Sequence, residues 1–288
     1  MVIFDTLIHL PNRIFFPFFS KDKEINNQFQ IDGYTYFENN FDNIQICKEI
    51  MHNIDLKKIK DLTNLKKKIN PKVYSIDIFE TFSENLKNKL TIFFSDNSKI
   101  KLTSSMLGYK TKFRKVSVLC NFYNENNIED EGPKMFHRDS DSLQDQVKIF
   151  VLANDISDKC GMFYYVPKNY INENVKLPFE AARKNLKLSD KWRNYDSTVS
   201  KILKKNNGVV LKLKGKQGEA LYMDTGKVYH KGGYVSEKNE YRILIQAVYT
   251  PLLSLSNWNG ITNKFLIYIQ QKLTSLRIKL RSNLYINK

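Results

Sequence analysis

The chain has 288 residues, 42% of them hydrophobic and 13% aromatic, with 46 lysines and arginines against 30 acidic residues and a formal net charge of +16. That length fits one large domain or two small ones, and the composition excludes a collagen, a coiled coil, a disulfide miniprotein and a disordered chain. Three cysteines, Cys47, Cys120 and Cys160, an odd number without C-x-x-C spacing, support neither a disulfide framework nor a zinc ribbon and point to reduced thiols in the cytoplasm.

In chain order, residues 1–27 form an aromatic leader around Ile14-Phe15-Phe16-Pro17-Phe18-Phe19, without the basic start and small-residue cleavage site of a signal peptide. No apolar run reaches the roughly 18 residues of a membrane span. From Asn43 to Lys68 apolar residues recur at three- and four-residue steps, which predicts helix, and a second helical piece is expected over Glu80 to Leu90. The texture then changes. Val116 to Phe122, Val147 to Leu152, Gly161 to Pro167, Gly208 to Leu213, Ala220 to Met223 and Tyr241 to Val248 read as short strands between Gly, Asn and Asp turns. Such a series favours an antiparallel sandwich or barrel as the core. Residues 169–207, polar, Lys-rich and holding Trp192, read as an insertion with the length of a lid or binding loop. Residues 256–288 carry Leu266, Ile269, Leu273, Leu276, Leu280 and Leu284 at helical spacing among lysines and arginines, a basic amphipathic helix that packs on the domain or touches an anionic membrane surface. Residues 28–255 between the two ends form the main domain. The basic charge attracts polyanions without specifying which, and with no RNP motif, zinc finger or Gly-rich phosphate loop no specific nucleic-acid partner is expected.

Four histidines occur, and two sit in telling surroundings. In an extended segment residues i and i+2 share a face, so His137 and Asp139 of His137-Arg138-Asp139 present a ring nitrogen and a carboxylate oxygen to one point. His230 comes much later, after the strand Ala220 to Met223 and before Gly232-Gly233, where a turn is expected. Two histidines and one carboxylate make the facial triad of non-haem Fe(II) oxygenases, which leaves three coordination positions open. Arg242 stands in an otherwise apolar strand, where a cation is costly unless it meets an anion, and its planar fork suits a carboxylate. A dicarboxylate that chelates the metal and meets Arg242 at its far end satisfies both demands; 2-oxoglutarate is one.

The stretches FHRDSDSLQDQVKIFVLANDISDKCGMFYYVPKNY and GEALYMDTGKVYHKGGYVSEKNEYRILIQAVYTP, with the opening QIDGYTYFENNF, resemble the phytanoyl-CoA dioxygenase family of Fe(II)/2-oxoglutarate oxygenases. The resemblance covers about residues 28–251. It implies a mainly β fold with flanking helices, a double-stranded β-helix of the jelly-roll, cupin-like kind. It also implies His137, Asp139 and His230 as Fe(II) ligands, Arg242 as the anchor of the distal 2-oxoglutarate carboxylate, and O2 as co-substrate. Two departures stand out: Lys168-Asn169-Tyr170 follows Pro167 where the family has Pro-Gly-Ser-His, and Gly232 stands where some members carry a hydroxyl. Related halogenases lack the ligating carboxylate, so Asp139 favours hydroxylation over halogenation.

Further candidates follow from strand alternation. Phe150, Asn121 and Lys148 are candidates beside 2-oxoglutarate, while Tyr123, Arg138 and Asp141 are candidates for substrate contact or for orienting the ligands. Asp224 is expected to serve a turn. The sequence thus predicts a dioxygenase that hydroxylates a small molecule, lipid or saccharide, an acidic one if the lysines select it, with release of succinate and CO2. Two alternatives remain: the same iron centre used for desaturation, cyclisation or epimerisation, and a non-catalytic basic β-sandwich binding nucleic acid or an anionic membrane.

Overall fold

In a computed structural model, which describes residues 27–38, 40–69, 75–108, 110–123, 132–139, 146–171 and 196–251, a helical layer precedes most of the strands. Helix α1 (Asn27–Asp32) leads into strand β1 (Tyr34–Phe37), followed by α2 (Phe41–His52), α3 (Leu56–Ile69), the two-residue β2 (Ile76–Asp77), α4 (Glu84–Phe94) and α5 (Asn97–Leu107). Strands β3 (Thr111–Phe122), β4 (Val147–Leu152) and β5 (Phe163–Val166) come next, then α6 (Asp196–Lys205) and β6 (Leu211–Leu213). The series ends with β7 (Ala220–Asp224), β8 (Tyr229–Gly232) and β9 (Tyr241–Pro251). The leader up to residue 26, residues 172–195 of the insertion and the helix expected over 256–288 lie outside the described residues.

The periodic run from Asn43 to Lys68 is two helices, not one. Asn53 closes α2, its backbone N–H donating to Glu49 O at 3.3 Å and Ile50 O at 3.0 Å, and Asp55 Oδ1 then accepts from Lys58 N at 3.0 Å to open α3. Helix α4 begins at Glu84 rather than Glu80, because Phe79–Thr81 form a 3-10 turn and Ser83 Oγ accepts from Leu86 N; the helix then runs on through Phe94. Helix α5 is an element the periodicity does not reveal. Its Ser and Thr hydroxyls turn back onto the helix, Thr103 Oγ1 donating to Lys99 O at 2.9 Å and Ser104 Oγ to Ile100 O at 2.6 Å, while Asp96 caps its start. Among the described residues no helix is long and apolar enough to cross a membrane.

The strands make two antiparallel sheets, a six-stranded one in the order β1-β7-β4-β9-β3-β2 and a three-stranded one in the order β6-β5-β8. Alternation divides the large sheet. Val116, Val118, Cys120, Ile149, Val151, Ile243, Ile245 and Tyr249 face α2 to α5 and pack against Cys47, Ile50, Leu90 and Phe94. Phe150, Leu152, Leu221, Met223 and Leu244 face the small sheet and pack against Met162, Phe163, Tyr165 and Leu213. Because β4, β7 and β9 are covered on both faces, they read as continuous apolar runs. A third cluster, Phe136, Val166, Ile171, Val199, Leu203 and Tyr229, seats α6 against the small sheet.

Candidate metal centre

Strand β8 and the short segment Phe136-His137 are paired side by side. His137 and His230 exchange both backbone hydrogen bonds, each 2.9 Å long, so they are direct cross-strand partners with ring centroids 4.5 Å apart. Asp139, two residues on, is fixed by its backbone N–H donating to Thr225 O at 2.8 Å. Its Oδ1 lies 3.9 Å from His137 Nε2 and 3.7 Å from His230 Nε2. The three ligand atoms fall within 4.8 Å of one another. Among the described residues this is the one group of three or more His, Cys, Asp or Glu side chains that converges so.

The tautomers are set by the chain itself. His137 Nδ1 faces Met135 O at 2.8 Å and His230 Nδ1 faces Val228 O at 3.0 Å. A carbonyl only accepts, so each Nδ1 carries the proton and each Nε2 presents a lone pair toward Asp139. Two lone pairs and an anionic oxygen pointed at one another repel unless a cation sits among them, so the donor set fits a divalent metal such as Fe(II). Burial pushes the Asp139 carboxyl upward, but the Lys148 ammonium, with the two imidazoles adding to it in their protonated form, outweighs burial and holds Asp139 well below the usual carboxylate range. Lys148 Nζ lies 2.7 Å from Asp139 Oδ2, the oxygen turned away from the histidines. Gln146 Nε2 donates to the same oxygen at 3.2 Å and to Thr225 Oγ1 at 2.9 Å.

Arg242 is buried on the inner face of β9, opposite Asn121 of β3 in register. Its Nη2 donates to Asn121 Oδ1 at 3.1 Å and its Nη1 to Gly161 O. Gly161 has φ +76°, and a Cβ there would come within 2.7 Å of Tyr234 C and Val235 N, so only glycine lets that carbonyl approach. Phe150 packs on Phe163 with ring centroids 4.8 Å apart, and Phe163 in turn stacks on His230 at 5.3 Å, so two aromatic rings line the inner wall beside the triad.

The structure therefore brings His137, Asp139 and His230 together, sets Lys148 against Asp139, pairs Asn121 with Arg242 and places Phe150 one ring away from His230. Arg138 is not brought to the triad: its guanidinium lies 4.9 Å over the Tyr229 ring. Tyr123, just past β3, is half-buried, and Asp141 lies outside the described residues. Asp224 Oδ1 accepts from Gly226 N at 3.2 Å, the turn role expected of it. Gly232-Gly233, by contrast, is not a turn, since Gly232 pairs with Phe163 and Gly233 N donates to Met162 O. Gln146, Thr225 and Phe163 are contributors that the structure reveals. Gln146 shares the strand parity of Lys148 and Phe150 and was open to detection; Thr225 reaches the site only through the end of β7 and leaves no local signal.

Neither protein-family models nor curated proteins match the chain. Solved structures do. The EctD structure from S. alaskensis with 2-oxoglutarate and 5-hydroxyectoine superposes with a TM-score of 0.50 at 14% identity, over 82% of this chain and 79% of that one. The epimerase SnoN in complex with Fe3+, alpha ketoglutarate and nogalamycin RO gives 0.48 at 12% identity, over 78% and 81%. The carbocyclase SnoK from nogalamycin biosynthesis gives 0.46 at 11%, over 81% and 85%. At these identities the likeness concerns the fold, and the fold is the double-stranded β-helix with flanking helices that the resemblance implies.

Proposed function

We propose that the chain is an Fe(II)- and 2-oxoglutarate-dependent oxygenase that hydroxylates a small molecule, lipid or saccharide. One observation carries the reading: two Nε2 lone pairs and one carboxylate oxygen converge at a single point, with both Nδ1 protons committed to backbone carbonyls. Bound there, Fe(II) supplies the O2-activating redox chemistry that side chains lack. The protein's own part is to hold, orient and shield. His137, Asp139 and His230 would hold the ion, through two Nε2 atoms and one carboxylate oxygen. Arg242, held in place by Asn121 and Gly161, offers its fork to the distal carboxylate of 2-oxoglutarate. Phe150 and Phe163 keep water from the wall between the sheets.

Anaerobic addition of Fe(II) and 2-oxoglutarate is expected to give a weak visible charge-transfer band, lost in His137→Ala and in Asp139→Ala. Absence of the band together with absence of 2-oxoglutarate binding would overturn the reading. Succinate release across a metabolite panel then identifies the substrate, and product analysis distinguishes hydroxylation from desaturation, cyclisation or epimerisation.

A further inference from the structure

We infer that Lys148 is a positioning residue that restricts Asp139 to one-oxygen ligation, and not a contact of the co-substrate; the inference rests on the function proposed above. A carboxylate binds a metal through one oxygen or through both, and nothing in its covalent structure chooses. Here the two oxygens of Asp139 are assigned different work. Oδ1 faces both histidine Nε2 atoms, at 3.9 Å and 3.7 Å, while Oδ2 meets Lys148 Nζ at 2.7 Å and Gln146 Nε2 at 3.2 Å.

The restraint is built into rigid elements. Lys148 stands on β4, an interior strand whose register pairs it with Met223 on one side and Val248 on the other. Gln146 is itself tied to Thr225 Oγ1 at 2.9 Å, and the Asp139 backbone N–H to Thr225 O at 2.8 Å, so backbone and carboxylate are fastened to the same residue. Turning Oδ2 toward the metal would break a charge-assisted contact and a hydrogen bond at once. The consequence concerns coordination number. A facial triad with one-oxygen Asp139 leaves three positions, two for a chelating 2-oxoglutarate and one for a diatomic gas, whereas a two-oxygen Asp139 takes the third. Lys148 thereby keeps the gas position open.

The test uses the full chain with Fe(II), 2-oxoglutarate and nitric oxide under anaerobic conditions, nitric oxide standing in for O2. The readouts are the nitrosyl EPR signal per bound iron and the dissociation constant of 2-oxoglutarate. Lys148→Met is expected to lower the nitrosyl signal about tenfold, the scale typical of outer-shell partners, while the 2-oxoglutarate constant changes less than about threefold. Lys148→Arg, which keeps a cation on Oδ2, restores the signal. Gln146→Leu lowers it in the same direction and serves if Lys148→Met fails to fold. A full nitrosyl signal in Lys148→Met and Gln146→Leu overturns the inference, as does a roughly tenfold weaker 2-oxoglutarate constant in Lys148→Met with the signal intact, which would make Lys148 a co-substrate contact. A wild-type chain that binds neither Fe(II) nor 2-oxoglutarate overturns the proposed function itself, an outcome seen before any variant is made.

Discussion

Each histidine of the triad donates its Nδ1 proton to the carbonyl two residues earlier in its own segment, Met135 for His137 and Val228 for His230. The nitrogen left to face Asp139 is thus chosen locally, by backbone geometry. On the function proposed above, replacing Arg242 separates metal binding from co-substrate binding. Arg242→Gln is expected to weaken 2-oxoglutarate about 10- to 100-fold, the equivalent of about 1.5–3 kcal/mol for hydrogen bonds to a charged group. Calorimetric titration of 2-oxoglutarate into the Fe(II)-loaded variant measures this, and an unchanged constant would remove Arg242 from the site. His137-x-Asp139 was legible in the sequence because i and i+2 share a face in an extended segment, and Arg242 because it is a cation in an otherwise apolar strand. The Gln146–Thr225 hydrogen bond was not, because its two halves flank different strands, β4 and β7, and meet only in the folded sheet.

At the scale of elements, helix α6 closes the small sheet with two buried side chains, Val199 and Leu203, set against Phe136, Val166 and Tyr229. Lys231, the residue after His230, pairs with Asp196 at the first turn of α6, so the helix is tied to the strand that carries a triad histidine. Leu203→Ala is expected to cost about 2–5 kcal/mol through the cavity it leaves. Hydrogen exchange should show the loss concentrated in α6, with β3 and β9 still protected; an equal loss throughout would mean that α6 does not open on its own. The strands that the sequence revealed most fully, β4, β7 and β9, are those buried on both faces. Those it did not reveal, β1, β2 and β8, are short and owe their extended form to a partner strand. The break at Asn53 leaves no trace in the periodicity because capping by Asn53 and Asp55 keeps the apolar spacing on either side intact.

For the whole molecule, the doubly covered sheet has a pH signature. Burial raises the thiols of Cys47 and Cys120 from the usual 9.0 to about 12, against small opposing effects of a backbone hydrogen bond from Gly218 at Cys47 and of the Arg242 charge at Cys120. Burial likewise raises the Tyr222 phenol from 10.0 to about 12. The folded state holds these protons more tightly than the unfolded chain, so their contribution is complete below about pH 9 and is lost as pH rises toward about 12. Denaturant midpoints should therefore fall steadily between those limits, and Cys47 and Cys120 should resist Ellman's reagent at neutral pH until the chain unfolds. Rapid labelling of both thiols in the folded protein would contradict the burial described here.

The sequence by itself determined the antiparallel β core, the His137-x-Asp139 pair and the strand bearing Arg242, because strand length, i and i+2 spacing and a misplaced cation are properties of a local window, while His230 was joined to the pair by the resemblance. Only the tertiary structure decided that His137 and His230 are cross-strand partners, that Lys148 faces Asp139, and that Gly161 holds Arg242. Those facts depend on register between strands distant in sequence. Register is set by which faces two sheets bury together, and no local window contains both.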